Sequence, residues 1–279
     1  MNATIIGTGL IGCSMAYRLK ETGFAQRVIG VDNDPQNLAT AKELGWIDDA
    51  MPLEEAVALS ELIIIAIPVD ATLKLIPGLM EMIVGQVVMD VGSTKKMICD
   101  SVDGTAKRKR FVATHPMWGT EKSGPEAVVK DAFKDRVAVI CDKEKSDADA
   151  LELVERLYST IGMRLVYMDA AAHDVHAAYV SHISHVASYA LSLTVLEKEK
   201  EEDAIFELAS GGFESTVRLA KSNPDMWVPI FMQNKDNVLD VLNEHISQLR
   251  KFKSCLEKEN YEYLTELIVN ANKIKRILK

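Results

Sequence analysis

The chain has 279 residues, 48% of them hydrophobic and 26% charged. That is the balance of a soluble globular protein with room for two cored domains. Its 32 Lys and Arg against 41 Asp and Glu give a net charge of −9, which argues against nucleic acid or an anionic membrane as partner.

An apolar run, Thr4-Ile5-Ile6, reads as a strand, and Gly7-Thr8-Gly9-Leu10-Ile11-Gly12 follows it at once. A helix-like segment comes next, then a second apolar run, Val28-Ile29-Gly30-Val31, ending in Asp32. Each part has a job in holding a dinucleotide. Gly7 makes the strand-to-helix turn, Gly9 lets backbone approach a pyrophosphate, and Gly12 lets helix pack on strand. The helix N-terminus offers unpaired N–H groups and a positive dipole end to the phosphates, and Asp32 would accept hydrogen bonds from the adenosine ribose. A 2′-phosphate would meet that carboxylate at about 4 Å, with repulsion of several kcal/mol at an effective dielectric near 20. Asn33-Asp34-Pro35 supplies no Arg or Lys to offset it. The expected cofactor is therefore NAD rather than NADP.

Further strands are predicted at Leu62–Ile67, Gln86–Val91, Phe111–Thr114, Val137–Cys141 and Arg164–Met168, with amphipathic segments such as Pro35–Leu44, Ala71–Met82 and Ser146–Ile161 between them. This alternation implies a doubly wound, mostly parallel sheet with helices on both faces. Ligands of such sheets bind beyond the carboxyl ends of the strands, which singles out Ile67-Pro68, Gly92-Ser93-Thr94-Lys95 and Thr114-His115-Pro116. From Asp169 onward helical spacing takes over: Ala170–Glu197, Ala204–Arg218, Pro224–Leu256 and Tyr261–Ile277, with the charged run Glu197–Asp203 as a solvated helix end and loop. The expected division is a dinucleotide-binding domain over 1–168 and an all-helical domain over 169–279. Apolar surface without a sheet of its own points to a homodimer.

The chemistry-bearing residues sit at these ends. His115 follows an apolar strand and precedes a proline; its ordinary pKa near working pH suits a general base, worth about 10²–10⁴-fold in rate. On position alone, a structural histidine capping a strand end is an equally good reading. His173-Asp174-Val175-His176 and Ser181-His182-Ile183-Ser184-His185 hold four histidines in the helical half. At about 100° per residue on one continuous helix the two pairs face opposite ways, so they do not converge on a metal; one pair lining a substrate pocket fits better. In Ser210-Gly211-Gly212-Phe213 the double glycine permits close backbone approach. Arg218, about two turns on, could clamp a carboxylate in bidentate fashion, although taken alone a surface arginine near a helix cap is the better reading.

Taken in order, Gly7–Gly12, Gly92-Ser93-Thr94-Lys95, His115-Pro116-Met117, Glu121-x-Ser123-Gly124, His173-Asp174, Ser181-His182-x-x-His185 and Ser210-Gly211-Gly212-Phe213…Arg218 resemble the prephenate/arogenate dehydrogenase family of tyrosine biosynthesis, over about residues 1–230. The resemblance implies oxidative decarboxylation of prephenate by NAD. It implies His115 as the base on the ring hydroxyl, with Ser93 holding that hydroxyl and orienting His115. Arg218 would bind a substrate carboxylate, His185 and His182 would line the pocket with Gly212, and Glu121 would act in the loop that gates it. Gly7 to Gly12, Asp32 and Pro68 would hold the cofactor. Two positions depart from the family pattern: Trp118 replaces a small residue, and Glu214-Ser215 replaces an Arg-Asp pair. The second leaves a pyruvyl (prephenate) or an alanyl (arogenate) side chain open.

Other doubly wound dehydrogenases, such as β-hydroxyacid dehydrogenases, usually rely on a catalytic lysine, and a non-catalytic NAD-binding regulator would not need polar groups at the strand ends. Cys13, Cys99, Cys141 and Cys255 form no C-x-x-C pair, the N-terminus enters a strand almost at once, and Leu62–Val69 is too short to span a bilayer. These point to the cytoplasm. Lys107-Arg108-Lys109-Arg110 reads as a solvated connection.

Overall fold

The computed structural model describes residues 1–200 and 206–276. In chain order the elements are β1 (Asn2–Ile6), α1 (Leu10–Glu21), β2 (Arg27–Val31), α2 (Pro35–Glu43), β3 (Asp49–Ala50), α3 (Leu53–Leu59), β4 (Leu62–Ile65), α4 (Val69–Met82), β5 (Val87–Asp90), α5 (Lys96–Val102), β6 (Phe111–Pro116), β7 (Val137–Cys141), α6 (Ala148–Thr160) and β8 (Arg164–Met168). Helices follow: α7 (Ala170–Ala177), a π-helical turn (Ala178–His182), α8 (Ile183–Glu199), α9 (Gly211–Val217), α10 (Pro224–Gln233), α11 (Lys235–Glu257) and α12 (Tyr261–Ala271).

All eight strands form one sheet in the order β3-β2-β1-β4-β5-β6-β7-β8. Every pairing is parallel except β6 with β7. This is the Rossmann-type arrangement expected. The two-residue β3, too short to show a period, is an addition to the predicted strands. Because strand side chains alternate, Leu62 and Ile64 enter one core with α1 and α6, while Ile63 and Ile65 enter a second core with α4, α5 and α10. Burying such a side chain stabilises by about 1.5–3 kcal/mol. On β6, Phe111, Ala113 and His115 share one parity, and Ala170 of α7 joins the same core as Phe111 and Ala113.

The sheet ends at Met168 and helices begin at Ala170, yet the compact units are Met1–Asn234 and Lys235–Lys279. Trp227 and Ile230 of α10 are buried in the second core, so the first helices of the helical half belong to the body that carries the sheet. The long helix expected over Pro224–Leu256 is broken at Asn234, which leaves helical geometry at φ −109°, ψ 27°. The start of the predicted Ala204–Arg218 helix, the end of the Glu197–Asp203 run and the end of the Tyr261–Ile277 helix lie outside the described residues. Among the described residues no helix is long and apolar enough to cross a membrane.

Candidate active site

The glycine turn is built as its spacing requires. Gly7 has φ +97°, and a Cβ there would lie 2.5 Å from the Ala66 carbonyl oxygen. A Cβ on Gly12 would lie 1.9 Å from the Gly7 carbonyl oxygen, whereas one on Gly9, the residue capping α1, would meet nothing within 4 Å. The turn is closed on its protein side and open at the helix N-terminus. Leu10 and Ile11 begin α1. Asp32 locks the turn: Oδ2 accepts from the Thr8 backbone N–H at 2.6 Å and the Thr8 hydroxyl at 2.9 Å, and Oδ1 accepts from the Asp34 N–H at 2.9 Å. Part of its acceptor capacity therefore goes to the loop. Pro68, exposed, caps α4 at the end of β4.

β5 and β6 are joined at their carboxyl ends by a buried ion pair. The Lys95 ammonium, fully buried, pairs with Asp90 and donates to the Thr114 carbonyl at 2.7 Å. Asp90 also accepts from the Gly92 N–H at 2.9 Å and the Thr114 N–H at 3.2 Å. Breaking such a pair by removing one partner costs about 3–5 kcal/mol, so the loop carrying half-buried Ser93 is fixed beside the strand end carrying His115.

His115 is buried. Its Nδ1 lies 2.9 Å from Nε2 of His173, whose Nδ1 lies 2.8 Å from Oδ1 of Asp174. The Asp174 carboxylate also accepts the Lys95 N–H at 2.7 Å and the Lys96 N–H at 2.9 Å. Desolvation first, then the neighbouring His173 and Lys95, holds His115 well below the ordinary histidine range, so it is neutral at physiological pH.

α7, the π-turn and α8 run on as one helix in which His173, His182 and His185 are buried and His176 is exposed. The α-helical wheel that sets His173 opposite His182 fails here, because i→i+5 bonding under-winds the helix between them. His182 Nδ1 accepts from Asn234 Nδ2 at 3.1 Å, and the same amide donates to the Asp174 carbonyl at 2.7 Å. His182 Nε2 is buried with no hydrogen-bond partner among the described residues. Burial, its largest cause, brings the His182 pKa down to about 4. His185 stacks on Trp227 with ring centroids 3.4 Å apart, and its Nδ1 lies 3.1 Å from the Ser181 carbonyl.

Arg218 and Glu121, 97 residues apart, meet: Nη1 donates to Oε2 at 2.7 Å. Glu121's own backbone N–H, then the Arg218 guanidinium, holds that carboxyl below its usual range. Gly212 lies exposed in the first turn of α9. Trp118 packs edge-to-face on Phe133, centroids 5.6 Å apart. Sequence reading passed over Lys95, Asp174 and His173 as individual site residues, and over Trp227 and Asn234 altogether. A lysine and an aspartate flanking an apolar strand end, and a His-Asp pair opening the first helix after the sheet, are the signals that mark the first three.

A doubly wound sheet whose first strand runs through an open glycine turn into the N-terminus of α1 is the architecture of a nucleotide-binding domain. Residues 15–167 match the nucleotide-binding domain of prephenate dehydrogenase, and residues 169–270 match its dimerization domain. The chain belongs to the prephenate dehydrogenase family. It is 33% identical over 270 residues to the prephenate dehydrogenase of Bacillus subtilis, covering 95% of this chain and 73% of that one. It is 28% identical to the cyclohexadienyl dehydrogenase of Zymomonas mobilis, covering 99% and 95%. The crystal structure of prephenate dehydrogenase from A. aeolicus in complex with hydroxyphenyl propionate and NAD+ superimposes with a TM-score of 0.89 at 31% identity, covering 99% of this chain and 97% of that one.

Proposed function

We propose that the chain catalyses the NAD-dependent oxidative decarboxylation of prephenate to 4-hydroxyphenylpyruvate, carbon dioxide and NADH. The observation that carries this reading is His115, a buried neutral histidine held through Nδ1 at the carboxyl end of β6. The glycine turn fits the cofactor: a Cβ on Gly9 would project into open space at the N-terminus of α1, while Gly7 and Gly12 are closed by backbone. Gly7, Thr8, Gly9, Leu10, Ile11 and Gly12 would hold the pyrophosphate side, with Asp32 at the ribose and Pro68 beside it. NAD, when bound, supplies the hydride acceptor.

The rest falls to side chains. His115 takes the hydrogen bond of the ring hydroxyl, draws its proton as hydride leaves the same carbon, and returns it to the phenol oxygen. Ser93 holds that hydroxyl against His115. Arg218, already ion-paired at the surface with Glu121, binds a substrate carboxylate, and Glu121 acts in the loop over it. His185, His182 and Gly212 line the pocket. Departure of the ring carboxylate as carbon dioxide aromatises the ring, so the driving force is the substrate's and the chain supplies position.

The test follows NADH absorbance with purified protein, NAD or NADP, and either prephenate or arogenate. Turnover with prephenate and NAD is the expected result, lost by at least about 10²-fold in His115→Asn. Turnover with arogenate alone reassigns the side-chain pocket around Glu214 and Arg218. Silence with both from a protein that still binds NAD overturns the reading.

A further inference from the structure

Asp174 is the fixed point of a chain of hydrogen bonds ending on His115. Its carboxylate receives two backbone N–H groups, from Lys95 at 2.7 Å and Lys96 at 2.9 Å, and an ionised carboxylate only accepts. The 2.8 Å contact with His173 Nδ1 therefore requires a proton on that nitrogen. In a neutral ring this leaves Nε2 of His173 as an acceptor, and Nε2 lies 2.9 Å from His115 Nδ1. That contact in turn requires the proton on Nδ1 of His115, which puts the lone pair on Nε2. A free neutral histidine prefers the opposite tautomer, with Nε2 protonated and useless as a base there. Nor does this arrangement come from a flexible surface: His115, His173, Asp174 and Lys95 are all buried.

Resting on the proposed role of His115 as base, we infer that His173 and Asp174 are positioning residues that fix the tautomer of His115 so that Nε2 is the proton acceptor. Neither touches the reacting atoms. His173 acts through His115 Nδ1–H, and Asp174 acts through His173 Nδ1–H. Asp174 joins the helical segment to the loop after β5 through the same carboxylate, so the base takes its reactive form only where that helix is docked. The logic is that of the carboxylate that holds a catalytic imidazole in the hydrolase triads, with a second imidazole interposed.

Two measurements test it. Long-range ¹H–¹⁵N spectra of the uniformly labelled full chain above pH 7, with His115 assigned by its disappearance in His115→Gln, should show Nδ1 protonated and Nε2 bearing the lone pair. An Nε2–H tautomer, or a doubly protonated His173, overturns the proposal whether or not the protein turns over prephenate. The second measurement is kinetic. His173→Ala should lower kcat by about 10²-fold, the lower end of what a positioned base contributes, with the KM values for NAD and substrate within about threefold. His173→Gln places a carbonyl oxygen near the lost Nε2 and should recover most of kcat together with the Nδ1–H tautomer. An Ala variant within about threefold of wild type, or a Gln variant as slow as Ala, overturns it. A wild-type chain inert toward both prephenate and arogenate would sink the proposed function and leave the tautomer to be decided by the spectra.

Discussion

Three glycines of one turn do different work, and single methyl groups separate them. A Cβ on Gly12 would sit 1.9 Å from a backbone oxygen, which no side-chain rotation relieves. Overpacking of this kind costs about 1–3 kcal/mol, and a backbone clash belongs at the upper end. Gly12→Ala should therefore lower Tm by roughly 5–10 °C, at about 2–4 °C per kcal/mol for a domain of this size. Gly9 is the reverse case, because a side chain there meets no protein atom within 4 Å. Gly9→Val should leave Tm within about 2 °C of wild type and weaken NAD binding by at least about tenfold, since the added atoms fill the approach of a pyrophosphate to the backbone. Thermal melts and an NAD titration on both variants check the pair. Equal loss of NAD affinity at unchanged Tm in both would show that Gly12 serves the ligand and not the packing.

At the scale of elements, seven of the eight strands and their order of appearance were readable, because they are short apolar runs bounded by turn residues, whereas the two-residue β3 was not. Helix ends and phase were not. A wheel drawn at about 100° per residue separates His173 from His182, whereas the π-turn at Ala178–His182 under-winds the helix between them and both are buried. The break at Asn234 is likewise tertiary: its amide donates to the Asp174 carbonyl and to His182. For the site, the glycine turn and His115 could be placed from their strand ends. The His115–His173–Asp174 chain could not, because it joins residues 58 positions apart. Burying His115 and His182 has a measurable consequence. Both His115 and His182 bind protons less readily folded than unfolded, His182 with a pKa of about 4. Between about pH 4 and 6.5 the unfolded chain therefore holds more protons, and stability rises with pH across that window. His182 alone accounts for about 3 kcal/mol between the ends of the window, at 1.36 kcal/mol per unit. Unfolding free energies from urea melts at pH 7 and pH 5, which span about 1.5 units of the window, should differ by about 2 kcal/mol on account of His182, and His182→Gln should shrink the difference. A midpoint independent of pH over this range would show that these histidines titrate normally in the folded chain.

For the whole molecule, the unanswered quantity is the apolar surface of the helical half. Val180, Leu193 and Met232 are 66%, 67% and 72% exposed, and in the second unit Tyr261, Ile268 and Val269 are 60%, 49% and 57% exposed. Isolated exposed apolar residues are ordinary, but several large ones on each unit are what a partner chain would cover. That segment matches a dimerization domain over residues 169–270. The net charge of −9 opposes self-association only over short range, since screening at physiological salt confines it to about 8 Å. An interface of homodimer size, about 2,000 Å² or more with an apolar core, is large enough to outweigh it. We therefore expect sedimentation equilibrium to return twice the 30.9 kDa chain mass at micromolar concentration. Tm should rise with protein concentration, as it must for a folded state stabilised by its own partner. Val180→Asp combined with Leu193→Asp should shift the mass toward a single chain and remove the concentration dependence. A wild-type mass of one chain at tens of micromolar would mean that these side chains face water in the working protein.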